Sequence, residues 1–190
     1  VDKIRAFVAV PMTDEVKKVV TEIEDELKEA RADVKWVAPD NVHVTLKFLG
    51  DVLVESVDGL VRALGEALRS ERSFDVVLSG TGTFPHGKRA PRVVWIGMEE
   101  GKERLAGIAL NVEEACSRLG FEKEARPFRP HLTIGRVRRG SGNLDRLGER
   151  VERVEFKPLK LVVNRVNLVR SKLSPRGPAY TVLESFALEE

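Results

Sequence analysis

Two short stretches of this chain carry a histidine followed two residues later by a threonine: His43-Val44-Thr45-Leu46-Lys47-Phe48 and His131-Leu132-Thr133-Ile134-Gly135-Arg136. In an extended strand, side chains two apart share a face roughly 6.6 Å from one another, so each His and Thr can reach one small anionic group. An imidazole ordinarily titrates near about 6.5, which lets one copy be neutral while the other carries a proton. Two such groups on either side of a phosphorus centre suit in-line displacement. One takes the proton of the attacking oxygen, the other protonates the departing oxygen, and the hydroxyls hold phosphate oxygens. The residues themselves do not say which imidazole is acid and which is base. The chain has three histidines; His86 lacks a threonine partner and reads as a loop residue. Zinc would call for three or four His, Cys or carboxylate ligands, and neither stretch has an acidic partner at ligand spacing, so no metal is expected. Thr45 or Thr133 as a covalent nucleophile ranks lower still, because the histidines can act on an external nucleophile.

Alternation also sorts the neighbours. It places Val42, Val44, Leu46 and Phe48 on an apolar face, and Thr45 and Lys47 with His43 on a polar one. Lys47 is therefore expected to bind substrate and Phe48 to pack inside. Position for position, Lys47 answers to Gly135 and Phe48 to Arg136, so strict alternation sends Arg136 away from His131. A strand that ends or bulges at Gly135 would return it, and a phosphate-binding role for Arg136 is preferred over a structural ion pair. Cations cluster here: Lys123, Arg126, Arg129, Arg136, Arg138 and Arg139 stand against Glu124 alone. A net charge of +2 does not mark a general nucleic-acid binder, but this run fits a local anion site.

The surrounding elements must hold the two strands. Residues 3–10 read as a strand ended by Pro11. Thr13 can cap a helix with Asp14 and Glu15 in its first turn and Val16, Val19, Val20, Ile23 and Leu27 along its apolar stripe. A short strand covers 34–37, and the His43 strand closes at Gly50-Asp51. A second helix over 55–68 is followed by a strand through Phe74, Val76 and Leu78. Residues 80–91, with Phe84, His86, Lys88 and Arg89, form a loop long enough to contribute to the site. A strand over 92–97 and a helix from Leu105 to Leu119, stopped at Gly120, lead to the His131 strand framed by Pro127 and Pro130. A short helix over 143–150 precedes strands through Val154 and Phe156, and through Leu161, Val163, Val166 and Leu168. A turn over 174–178 and a last strand with Tyr180, Val182 and Phe186 complete the chain. The order β-α-β-β-α-β, then β-α-β-α-β-β-β, is a loose duplication whose His-x-Thr strands lie 88 positions apart (131 − 43). Strands returning directly to strands indicate an α+β architecture of mainly antiparallel sheets with helices outside.

At 190 residues the chain suits a single domain, 1–190, or two small lobes sharing a core. Apolar residues at 42% and charged residues at 33% describe a globular chain with a charged surface rather than a disordered one. No apolar run reaches the roughly 18 residues of a membrane span, so no membrane association and a cytoplasmic location are expected. The single cysteine, Cys116, agrees with a reducing compartment and reads as a small buried hydrophobe.

The two motifs, together with Ile4-Arg5-Ala6-Phe7, Phe84-Pro85, Pro91 to Gly97 and Ser171-Lys172-Leu173 before Tyr180, resemble the two-histidine phosphoesterase superfamily. More narrowly, they are similar to the bacterial and archaeal RNA 2′,3′-cyclic phosphodiesterases, also called 2′-5′ RNA ligases. The resemblance implies a bilobed, pseudo-two-fold fold with the active site in the cleft between lobes. It implies opening of RNA 2′,3′-cyclic phosphate ends to 2′-phosphates, with reversible 2′-5′ joining of tRNA halves in some members, and no cofactor. By that resemblance His43 is the acid that protonates the 3′ oxygen and His131 the base that activates water. Thr45, Thr133, Lys47 and Arg136 are the expected substrate-binding residues, RNA is the partner, and a monomer is expected. A non-catalytic RNA-end or tRNA-binding module is the alternative.

Overall fold

A computed structural model describes residues 2–86, 90–175 and 177–190. Lys88 and Arg89 of the expected loop, and Arg176 of the expected turn, lie outside them. In chain order the elements are β1 (Lys3–Pro11), α1 (Asp14–Lys28), β2 (Val34–Trp36), β3 (His43–Leu53), α2 (Val57–Leu68), β4 (Phe74–Phe84) and β5 (Val93–Met98). There follow α3 (Lys102–Arg118), β6 (Leu132–Val137), α4 (Leu144–Arg153), β7 (Leu159–Val163), β8 (Arg165–Ser174) and β9 (Gly177–Ala187). The strands form two sheets, ordered β3-β1-β8-β9 and β2-β6-β5-β4-β7, and every strand pairing within them is antiparallel. This is the α+β class expected from strands that return directly to strands.

Local signals explain most boundaries. Thr13 Oγ1 accepts the Val16 N–H at 3.3 Å, capping α1, while Asp14 and Glu15 sit favourably at its positive end. Gly120, at φ +89°, takes the left-handed conformation that follows α3. Apolar stripes of all four helices meet the inner faces of both sheets in one continuous core. Val20 and Leu27 of α1, Leu64 of α2, Val112 of α3 and Leu147 of α4 join Val8 and Val44 of one sheet and Val94 and Ile134 of the other. No helix among the described residues is long and apolar enough to cross a membrane.

Four expectations about element bounds are corrected. β3 does not close at Gly50-Asp51 but runs on to Leu53, because β1 continues to pair with it as far as Lys3. Thr81 to Phe84 belong to β4, since they pair with β5, so the loop is much shorter than expected. Val154 and Phe156 are irregular; both pack on the core, but the edge of β4 is taken by β7. The run from Leu161 to Leu168 is interrupted at Asn164. That break carries the chain from the edge of one sheet, β7, into the interior of the other, β8.

Candidate active site

β3 is the edge strand of its sheet and β6 lies between β2 and β5, yet each pairs with a neighbour across a one-residue irregularity just after its His-x-Thr stretch. Val8 and Ala9 of β1 pair with Lys47 and Thr45, which leaves Leu46 as an extra residue in β3. Val94 and Trp95 of β5 pair with Gly135 and Thr133, which leaves Ile134 as the extra residue in β6. Leu46 and Ile134 stand at the same position of the two motifs, so the bulges are equivalent. A bulge inserts one residue and resets which side chains share a face. His43 and Thr45 keep one face; Leu46 and Lys47 both go inward, and Phe48 emerges, 54% exposed. In the second half Leu132 and Ile134 are buried, Gly135 follows Ile134 inward, and Arg136 is exposed.

These registers correct two expectations. Lys47 does not share the His43 face: it is buried at 2% exposure and paired with Glu113 at 2.8 Å, so it does not line the surface with Thr45. Phe48 is on the outer face rather than in the core, with its ring centroid 6.1 Å from that of Phe7. Arg136 returns to the His131 side, through a bulge at Ile134 rather than at Gly135 itself. Glycine is required at 135 because a Cβ there would meet Val34 and Trp36 at 2.8–3.0 Å.

Both imidazoles are held alike. His43 Nδ1 lies 2.7 Å from the carbonyl of Asn41, and His131 Nδ1 lies 2.7 Å from the carbonyl of Arg129, each two residues upstream. A carbonyl only accepts, so each Nδ1 carries a proton and each Nε2 is the atom left for chemistry. His43 Nε2 is 3.0 Å from Thr45 Oγ1. When the ring is neutral the hydroxyl donates to Nε2; when it is protonated Nε2–H donates to the hydroxyl. His43 stacks on Phe7 at 4.7 Å and meets Tyr180 edge-on at 5.4 Å. His131 meets Phe84 edge-on at 5.2 Å. His86 is one step removed, against Phe84 at 5.0 Å and Trp95 at 5.9 Å.

Burial pushes the His43 imidazole below its ordinary range; the Asn41 carbonyl opposes this and the Arg136 guanidinium adds to it. His131 is lowered in the same order of causes: burial first, the Arg129 carbonyl opposing, Arg136 adding. Burial raises the Tyr180 phenol, and Arg136 and then Arg5 pull it back. The Arg136 guanidinium thus bears electrostatically on a group from each half and on β9. Against His43 lies a cavity of about 180 Å³ lined by Phe7, Asn41, Asn167 and Tyr180, with Lys17 and Asp40 also in its lining.

Sequence reasoning gave no role to Phe7, Asn41 or Tyr180. Asn41 supplies the carbonyl for His43 while its side-chain amide donates to the Pro178 carbonyl at 2.9 Å, joining the approach to β3 to β9. An aromatic ring on a neighbouring strand leaves no local mark, because its contact with His43 arises only when β1, β3, β8 and β9 are assembled.

Two imidazoles, one with Nε2 linked to a hydroxyl and the other with Nε2 unengaged among the described residues, form an arrangement capable of acid–base chemistry on an anionic group. The chain belongs to the 2′-5′ RNA ligase superfamily, whose family model matches residues 12–174. An RNA 2′,3′-cyclic phosphodiesterase of Methanothermobacter thermautotrophicus is 39% identical, over 98% of this chain and 100% of the relative. A protein of the same name from Thermotoga maritima is 35% identical over 94% of this chain and 92% of its own. Among solved structures, TT0787 of Thermus thermophilus superposes with a TM-score of 0.80 at 31% identity, covering 97% of both chains. Escherichia coli LigT complexed with 3′-AMP gives 0.77 at 27% identity over 100% of both.

Proposed function

We propose that this chain opens 2′,3′-cyclic phosphate ends of RNA to 2′-phosphates, with two histidines as acid and base and no metal. The observation that carries the reading is the matched presentation of two imidazoles, each at the head of a His-x-Thr strand with Nδ1 fixed on a carbonyl two residues upstream. The names of the relatives supply the substrate class. His131 Nε2 takes a proton from water as its oxygen bonds to phosphorus. The bond from phosphorus to O3′ breaks, and His43 Nε2–H protonates that oxygen, leaving a 3′ hydroxyl and a 2′-phosphomonoester. Thr45, Thr133 and Arg136 hold the non-bridging oxygens. The division into acid and base follows the family resemblance. A 5′ hydroxyl in place of water would make a 2′-5′ linkage with the same groups, in keeping with the superfamily's name. Both motifs come from one chain, so a monomer suffices.

The test is turnover of a 2′,3′-cyclic oligonucleotide by protein treated with EDTA. Wild-type protein is expected to retain activity, and His43→Ala and His131→Ala to fold normally with rates about 10²–10⁴-fold lower. Loss of activity on chelation refutes the metal-free reading. Binding without turnover leaves an RNA-end binding module, and near-normal activity in either variant refutes the two-histidine chemistry.

A further inference from the structure

Lys47 carries an ammonium on the core side of β3 with its side chain 1% exposed. Its Nζ donates to Glu113 Oε1 of α3 at 2.8 Å and to the Glu122 carbonyl at 2.9 Å. The same Glu113 oxygen accepts the backbone N–H of Glu124 at 3.2 Å. These contacts seize the start of an irregular segment, 121–131, that runs from the end of α3 to His131. Farther along, Phe128 packs on the core, and Pro127 and Pro130 restrict the backbone. At the far end, the Arg129 carbonyl fixes His131 Nδ1. The equivalent position in the other half is Gly135, where Val34 and Trp36 occupy the space of a side chain. A buried ammonium tie therefore runs in one direction, from the His43 strand to the approach of His131.

We propose that Lys47 is a positioning residue for catalysis: its buried contacts with Glu113 and Glu122 fix the lead-in to His131 relative to the His43 strand, and so hold the spacing of the two imidazoles. A buried ion pair does not by itself argue for stability, because replacing both charges with apolar side chains is commonly neutral or stabilising. What apolar replacements do not reproduce is the pair of directional contacts to the backbone at Glu122 and Glu124. Misplacement of a reacting group by about 1 Å can cost about 10²-fold in rate.

The inference rests on both histidines acting in the proposed reaction, and activity in His131→Ala would defeat that reading first. With the two-histidine chemistry in place, Lys47→Met/Glu113→Met is compared with wild type for kcat, KM and the imidazole NMR signals. The expected result is a folded protein with kcat lower by about 10²-fold, KM changed little, and the His131 resonances moved while those of His43 stay. A folded double variant with wild-type kcat and an unmoved His131 overturns the proposal. Glu113→Gln serves as the second variant, because its amide oxygen keeps an acceptor for both Lys47 and Glu124. It is expected to retain kcat within a few-fold of wild type, and a loss as large as about 10²-fold overturns the positioning role.

Discussion

Glu24 lies on the inward side of α1, 4% exposed, and its Oε1 has no hydrogen-bond partner among the described residues. Burial pushes its carboxyl from an ordinary 4.5 up to about 7, against a downward pull from Lys28. Well below pH 4.5 the folded and unfolded chains both hold the proton and the group contributes no difference. As pH rises, the unfolded chain ionises first, so the fold loses up to about 1.4 kcal/mol per pH unit until the buried group also ionises. Between 4.5 and about 7 that loss comes to about 3 kcal/mol, a large part of the roughly 5–15 kcal/mol that stabilises a domain. Glu24→Met keeps an unbranched side chain of similar length and removes the ionisable group. It is expected to match wild type near pH 4 and to be more stable by about 3 kcal/mol at pH 8. Urea unfolding followed by circular dichroism at both pH values measures it; with a slope of about 2 kcal/mol per molar, the midpoint at pH 8 should rise by about 1.5 M. An equal difference at both pH values, or a variant less stable at pH 8, would refute the argument that an ionised Glu24 strains the fold.

Two further outcomes test the outer face of the site. Arg136→Gln removes a positive charge that depresses both imidazoles, so the bell of kcat/KM against pH should move to higher pH and its peak should fall by about 10²–10³-fold; an unmoved bell refutes the shared placement. Phe48→Ala deletes an exposed ring, so stability should change by less than about 0.5 kcal/mol, while KM for a cyclic-phosphate oligonucleotide rises in keeping with about 1–3 kcal/mol for a stacked base. Unchanged KM would show that no base rests there.

The parts of this molecule legible in the sequence were those decided within a few residues. The Thr13 cap, the stripe from Val16 to Leu27 and the stop at Gly120 each depend on local spacing, and α1 and α3 emerge where those signals stand. The antiparallel class was also legible, because short connections between strands permit little else. Edges and crossings were not. Whether Val154 and Phe156 form a strand depends on which segment reaches the free edge of β4, and β7 does. The site divides the same way. His43, Thr45, His131 and Thr133 precede the bulges, so alternation sorts them correctly. Lys47, Phe48 and Arg136 follow the bulges, and there alternation fails in both halves. The failure is itself symmetric: inserting Leu46 in one strand and Ile134 in the other shifts each motif by one residue. The side chains that emerge are a ring in one half and a guanidinium in the other, and those that turn inward are Lys47 and Gly135. A repeated bulge of this kind keeps the two imidazoles equivalent while allowing the residues beyond them to differ. In the proposed reaction such a repeat would allow near-symmetric proton transfer on a substrate whose two sides, a phosphate and a base, are chemically unlike.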